Sequence, residues 1–137
     1  MKQSAGTLLY RAGPQGLEVL LVHPSGNYNR RAPWGIPKGI PDEDEPLEAA
    51  ARRETREEAN VEVVGPLLDL GYIDYTKSKK RVFCFAGPAP EGADARPVSW
   101  EVDRAEFVPL EKARQLIHLE QAAFLDRLVA QLDPPFV

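Results

Sequence analysis

Residues 39–61 read GIPDEDEPLEAAARRETREEANV, and the reading of the whole chain turns on this stretch. Acidic residues ahead of Pro46, and the proline itself in the first turn, favour a helix from about Pro46 to Ala59. Within it Glu54, Glu57 and Glu58 stand at i, i+3 and i+4, a spacing that brings three carboxylates onto one face. Leu47, Ala50 and Ala51 lie on the same side, while Arg52 and Arg56 take the opposite, solvent side. A Glu-rich helix is ordinarily just solvated. Here, however, like charges at this spacing weaken an isolated helix by a few tenths of a kcal/mol, and carboxylates on a partly buried face need a partner to offset desolvation. A hard cation supplies one, and Mg²⁺ or Mn²⁺ suits carboxylates better than Zn²⁺. With one cysteine and two isolated histidines, the chain offers no competing Cys/His ligand set.

The stretch resembles the Nudix box, G-x5-E-x7-R-E-U-x-E-E-x-G-U, where U is a bulky apolar residue. Gly39, Glu45, Arg53, Glu54, Glu57, Glu58 and Val61 fall in register. Asn60 stands where the family has glycine, and Thr55 replaces an apolar residue. Asparagine tolerates the left-handed conformation expected just past a helix C-terminus, so Asn60 is expected to keep the geometry. The resemblance implies an α/β fold, a Nudix-like α/β/α sandwich with a mixed β-sheet, in which the box forms a loop–helix–loop metal site. It implies Glu54, Glu57 and Glu58 as metal ligands, with the Lys38 backbone carbonyl as a further one. Arg53 would orient the glutamates through a charge-assisted pair. Gly39, Glu45 and Asn60 would be structural members of the motif, Glu45 through loop bonding or capping. For the general base the resemblance leaves two sources: the box, through Glu57 or Glu58, and a distant loop or strand, through Glu106 or Glu101. Each of the latter two reads equally well as a solvated surface carboxylate.

Such a site suits phosphoanhydride chemistry. The substrate is strongly anionic, so it repels a water nucleophile and sheds a charged leaving group. Carboxylate-held Mg²⁺, or Mn²⁺ in its place, counters both effects and leaves coordination positions for water and phosphate.

The remainder of the sequence fits a single domain over residues 1–137, near the modal domain size. Hydrophobic content of 43% and charged content of 28% are those of an ordinary globular protein, so neither a fibrous nor a disordered class is indicated. No apolar run reaches a membrane span, and the N-terminal segment lacks a long apolar region; a cytoplasmic location and no membrane partner are the expectation. Cys84 lies in an apolar run and reads as buried filler. Strands are expected at about 4–10, 18–23, 68–75, 81–86 and 105–108, with a hairpin loop at AGPQG. From Leu110 onward a second helix and a third are expected, the later part packing Ala122, Leu125, Leu128, Val129 and Leu132 on the sheet.

Substrate recognition rests on basic and aromatic residues near the box. Arg30, Arg31, Trp34 and Lys38 precede it, and Lys77, Lys79, Lys80 and Arg81 form the run KSKKR. Against a net charge of −4 these stand out as phosphate-binding candidates, although KSKKR reads more readily as a solvated hairpin turn. The run is too short to make nucleic acid a main partner. Tyr28, Trp34, Tyr72 and Tyr75 could stack on a base, and Trp34 equally could anchor the core. WGIPKG resembles the W-x-x-P-K-G of dinucleoside polyphosphate hydrolases and of the inositol-pyrophosphate branch. In the former a tyrosine beyond the box commonly stacks on adenine, and Tyr75 is the nearest match. The marks of ADP-ribose and NADH pyrophosphatases are absent. The favoured reading is therefore hydrolysis of a dinucleoside polyphosphate such as diadenosine tetraphosphate, by a monomer or homodimer. The same chemistry on nucleoside triphosphates, ADP-ribose, RNA 5′ ends or inositol pyrophosphates is the alternative. A non-catalytic nucleotide-sensing module is the third reading, and the intact box carboxylates weigh against it.

Overall fold

The structure is a computed structural model that describes residues 2–132; the first residue of the expected domain and its last five lie outside the described residues. Six strands form one mixed sheet: β1 (Lys2–Gly13), β2 (Gly16–Pro24), β3 (Lys38–Gly39), β4 (Leu68–Asp74), β5 (Lys80–Pro88) and β6 (Val102–Pro109). The order is β4-β5-β1-β2-β6, with β3 attached to β1. β1 and β5 run parallel and the other pairs antiparallel. Three helices cover the sheet: α1 (Leu47–Ala59), α2 (Leu110–Leu116) and α3 (Ala122–Gln131). No helix among the described residues is long and apolar enough to cross a membrane.

Alternation along the strands builds two cores, because successive side chains point to opposite faces. Leu8, Val19, Leu21, Val82 and Cys84 face one side, where Phe124, Leu125 and Leu128 of α3 close over them. Leu9, Leu20 and Val22 face the other, against Ala59, Val61 and Val63. Beside them Ala5 and Phe85 receive Ala50 and Ala51 of α1. The α/β/α sandwich expected from sequence is the fold observed, and Cys84 is fully buried in the first core.

Several strands run longer than the sequence predicts, since their ends keep ladder partners after the apolar alternation has stopped: β1 pairs as far as Gly13. β3 is unforeseen, because two residues carry no period. It sits where the chain entering the box crosses β1, pairing Gly6 with Lys38 and Ala5 with Gly39. The approach at Gly6 is so close that a Cβ there would stand 2.3 Å from the Pro37 carbonyl oxygen, so only glycine lets the loop lie down.

α1 starts after Pro46 and ends on Asn60, whose φ of 63° is left-handed and whose N–H bonds the Arg56 carbonyl at 3.1 Å. Thr55, in the box's apolar position, is fully buried. Its hydroxyl donates to the Ala51 carbonyl at 2.8 Å and lies 2.7 Å from the Thr7 hydroxyl of β1, which pins the helix to the sheet. Replacing Thr55 with valine should leave the Thr7 hydroxyl buried without its partner and cost about 1–3 kcal/mol, while the T7V/T55V double variant should lie much nearer wild type. Denaturant midpoints of wild type and these two variants check this. A double variant as unstable as the single would show that the hydroxyl pair is not what holds the helix.

Candidate active site

The three box carboxylates separate in a way the spacing alone does not show. Residues 57 and 58 are one helical step, about 100°, apart, so they fall on either side of Glu54. The sheet lies on the Glu58 side. Glu58 is therefore buried, at 9% exposure, Glu54 is half-buried, and the Glu57 side chain is 49% exposed. The shared face expected for Glu54, Glu57 and Glu58 is thus a fan that runs from interior to solvent. Arg52 likewise is not left to solvent, because it donates to the Val63 and Gly65 carbonyls and to Glu48.

Arg53 sits at the centre of the fan. Its guanidinium forms two bonds of 2.9 Å to Glu45, one of 3.0 Å to Glu54 and contacts of 3.2–3.3 Å to Glu57. It also reaches the Ile40 carbonyl at 3.3 Å. These bonds hold Arg53 well above the ordinary arginine range, the Glu45 pair contributing most. The same pair lowers the Glu45 carboxyl to about 2. Glu45 also accepts the Asp42 N–H at 2.9 Å, so it bonds the loop, one of the two roles expected of it. A Cβ at Gly39 would fall 2.1 Å from the Glu54 carboxyl carbon, so a side chain there would push the Glu54 carboxylate out of its place.

Glu58 accepts the Lys38 N–H at 3.3 Å. Burial pushes its carboxyl up to about 8, and the charge of Glu54 pushes in the same direction. Burial raises Glu54 also, with Arg53 opposing. Glu101, on the turn leading into β6, adds its charge to both. Glu54, Glu58 and Glu101 line one cavity of about 390 Å³ together with Lys2, Lys38 and Lys80. Among the described residues no three acidic, imidazole or thiol side chains stand gathered around a single point as ligands. Arg53 draws Glu54 and Glu57 outward, and Glu58 turns to the Lys38 amide. The donor chemistry nevertheless fits a hard divalent cation. Burial and neighbouring carboxylate charge raise both Glu54 and Glu58, and a cation bound between such oxygens would relieve that repulsion.

A second cavity of about 300 Å³ meets the first at Lys38, Glu58 and Glu101 and extends to Trp34, Tyr75, His118 and Gln121. Gln121 is held by the Ile36 N–H at 2.9 Å and donates to the Tyr75 hydroxyl at 2.9 Å. The Tyr75 ring packs on His118 with centroids 4.8 Å apart. His118 accepts the Glu120 N–H at Nδ1, so in the neutral ring the proton is on Nε2. Trp34 is half-buried and both anchors the core and lines the cleft.

Of the residues expected from sequence, Lys38, Glu54, Glu58, Glu101, Trp34, Tyr75 and Lys80 come together along these two cavities, and Arg53 stands beside Glu54. Arg31 lines a neighbouring cavity. Glu57 turns to Arg53. Arg81 and Glu106 are not brought in, and Tyr28, Tyr72 and Lys79 line none of these cavities either. Arg81 is bound to Asp74 at 2.8 and 3.1 Å and lies 3.8 Å over the Tyr72 ring, which commits it to the sheet edge. Glu106 is paired with Arg104 on the surface of β6. His118, Gln121 and Lys2 were not foreseen. Only the fold brings them in, although His118, one of two histidines, was a signal open to weighing.

The family model for the NUDIX domain matches residues 2–130. The chain belongs to the Nudix family. It is a pyrophosphohydrolase of that family, whose members generally use a divalent metal, usually Mg²⁺. No functionally curated protein matches this Nudix chain by sequence. Among solved structures, an Ap4A hydrolase from C. elegans in a binary complex is similar at 25% identity and TM-score 0.76, over 95% of this chain and 96% of that one. The NUDIX domain of Shewanella oneidensis NrtR, complexed with ADP ribose, is similar at 21% identity and TM-score 0.81, over 97% and 89%. A MutT NUDIX hydrolase from Burkholderia pseudomallei is similar at 20% identity and TM-score 0.75, over 93% and 97%. The latter two share the fold.

Proposed function

We propose that this Nudix enzyme hydrolyses a phosphoanhydride bond of a dinucleoside polyphosphate, with diadenosine tetraphosphate as the representative substrate and Mg²⁺ as the metal. The observation that carries the reading is the joining of the carboxylate cavity to the aromatic cleft at Glu58 and Glu101. It gives one continuous channel for an anhydride and the nucleoside attached to it. Whole-length similarity to an Ap4A hydrolase supports the same substrate class. The 1–137 chain acts in this reading as a single cytoplasmic domain.

Glu54, Glu57 and Glu58, with the Lys38 carbonyl, would hold the cation. When bound, it offsets the charge on the anhydride oxygens and makes water a stronger acid. Arg53 fixes Glu54 and Glu57 by charge-assisted bonds, and Glu45 fixes Arg53. Lys2, Lys38 and Lys80 line the cavity and offer positive charge to the phosphate oxygens. Tyr75, Trp34 and His118 line the cleft that would receive a base.

Glu101 is the residue we assign to accept the water's proton. A base needs an available lone pair within reach of the reacting atoms. The Glu57 carboxylate is bonded to Arg53, and Glu58 is needed as a ligand. Glu101 lines both cavities, and its side chain makes no hydrogen bond or ion pair among the described residues.

The test is product analysis over diadenosine tetraphosphate, ADP-ribose and nucleoside triphosphates, with wild type, Glu101→Gln and Glu106→Gln. Diadenosine tetraphosphate should be the preferred substrate. Glu101→Gln should lower kcat by about 10²–10³-fold, and Glu106→Gln should change it little. Preference for ADP-ribose would move the substrate assignment, and an unaffected Glu101→Gln would return the base to the box.

A further inference from the structure

A third cavity, of about 740 Å³, adjoins the nucleoside cleft and shares Pro33, Trp34 and His118 with it. The three cavities therefore form one series. The carboxylates lie at one end and the aromatic cleft in the middle, and at the far end stands a chamber lined by Arg30, Arg31 and Lys77.

Those two arginines differ from every other arginine of the chain. The chain has eleven, and nine are bound to an acid or to a backbone carbonyl. The side chains of Arg30 and Arg31 make no hydrogen bond, ion pair or ring contact among the described residues, and neither does that of Lys77. All three cations are exposed, and what sets them apart is their shared place on one chamber wall in a protein of net charge −4. Their setting is also ordered. A single 3₁₀ turn, Asn27–Asn29, precedes them, and Asn29 bonds the Ser25 carbonyl at 2.7 Å while its own carbonyl takes the Ala32 N–H at 3.0 Å. The one acid on the chamber wall, Glu120, is already occupied by the Thr76 N–H at 2.9 Å and by the Thr76 hydroxyl.

The geometry points to a distal anion subsite, in which Arg30, Arg31 and Lys77 take a phosphate that the substrate carries beyond the nucleoside seated against Tyr75 and Trp34. The inference rests on the reading of the middle cleft as the nucleoside site. Guanidinium groups suit a phosphate because their forked donors match its oxygens. The phosphate has two chemical sources: the second nucleotide of a dinucleoside polyphosphate, folded back along the cleft, or a phosphate on the ribose of the seated nucleoside itself. A ribose phosphate puts charge on both sides of the seated nucleoside, whereas in a dinucleoside polyphosphate every phosphate lies between the two nucleosides, and only a chain that turns back past the seated base brings the second nucleotide to the chamber.

Calorimetric titration of the full chain in EDTA separates these sources without depending on turnover. Diadenosine tetraphosphate, ATP, adenosine 3′,5′-bisphosphate and AMP would be titrated into wild type, R30A/R31A and Lys77→Ala at low and at moderate salt. Wild type should favour the two-ended member of at least one pair. R30A/R31A should erase that preference, with a loss of about tenfold or more for the two-ended ligand, and added salt should narrow it in wild type. A loss confined to diadenosine tetraphosphate assigns the second nucleotide to the subsite, and a loss confined to the bisphosphate assigns a ribose phosphate. Equal affinities within both pairs, or a preference untouched by R30A/R31A, overturn the subsite. So does failure of wild type to bind any of the four. Hydrolysis measured on the same preparations keeps the two readings apart, since a chain that cleaves the anhydride yet shows no such preference loses only the subsite.

Discussion

Glu58→Gln should lower kcat for metal-dependent hydrolysis by about 10²–10³-fold, the range seen when one group that stabilises developing charge is removed. The same substitution should stabilise the metal-free protein at neutral and alkaline pH. Both effects have one cause. Glu58 is buried, with Glu54 and Glu101 nearby, and its folded-state carboxyl is raised from 4.5 to about 8. Between those values the folded protein binds a proton that the unfolded chain has released, so the stability of the metal-free protein must fall as pH rises. The contribution is fully present below about 4.5, is lost through about 8, and is flat beyond. Glutamine keeps the size of the side chain and removes the charge, so it should flatten that slope. Thermal unfolding from pH 5 to 9 in chelator measures it. Wild type should lose several degrees over the interval, and Glu58→Gln clearly less. Parallel curves would mean that Glu58 is not the strained carboxylate.

Arg53→Ala should cost about 10–10²-fold in activity, the range for groups that orient metal ligands, and should lower the melting temperature as well. Arg53 is bonded to Glu45, Glu54 and Glu57 at once, and its side chain is only 19% exposed. Its loss leaves three carboxylates facing one another without a counter-charge. Arg53→Lys should restore little, because an ammonium cannot reproduce the forked pair with Glu45 while also reaching Glu54. If Arg53 serves only as a loop fastener, Glu45→Gln should lower the melting temperature as Arg53→Ala does and the two should lose activity equally. If it positions the ligands, Arg53→Ala should raise the Mg²⁺ concentration needed for half-maximal rate, and Glu45→Gln should raise it much less. Rate against Mg²⁺ concentration distinguishes the two roles.

What could be read from sequence was what is local. The box is contiguous, so Glu45, Arg53, Glu54 and Glu58 could be placed on one loop and helix, and the left-handed cap could be expected of Asn60. The alternation of β1, β2 and β5 gave the two-sided sheet. Which side of Glu54 would face inward could not be read, because Glu57 and Glu58 are symmetric about it until the sheet takes one side. Glu101 and Glu106 were indistinguishable as carboxylates five residues apart. Their separation follows from Arg104, which captures Glu106, and from the Ser25 N–H, which bonds the Glu101 carbonyl at 2.9 Å. The Tyr75–Gln121 bond spans 46 residues, so nothing in either segment announces the other. The basic run at 77–81 divided three ways: Arg81 went to Asp74, Lys80 to the carboxylate cavity and Lys77 to the distal chamber.

The measurement closest to the central claim is hydrolysis of diadenosine tetraphosphate by wild type and Glu58→Gln, with Mg²⁺ and with excess chelator, on preparations also titrated calorimetrically with Mn²⁺. Wild type should bind the ion and cleave the anhydride only when metal is present, and Glu58→Gln should lose both together. Cleavage that persists in chelator, or a Glu58→Gln protein that binds Mn²⁺ and turns over as wild type does, would contradict the assignment of this carboxylate cavity as the metal-dependent hydrolytic site.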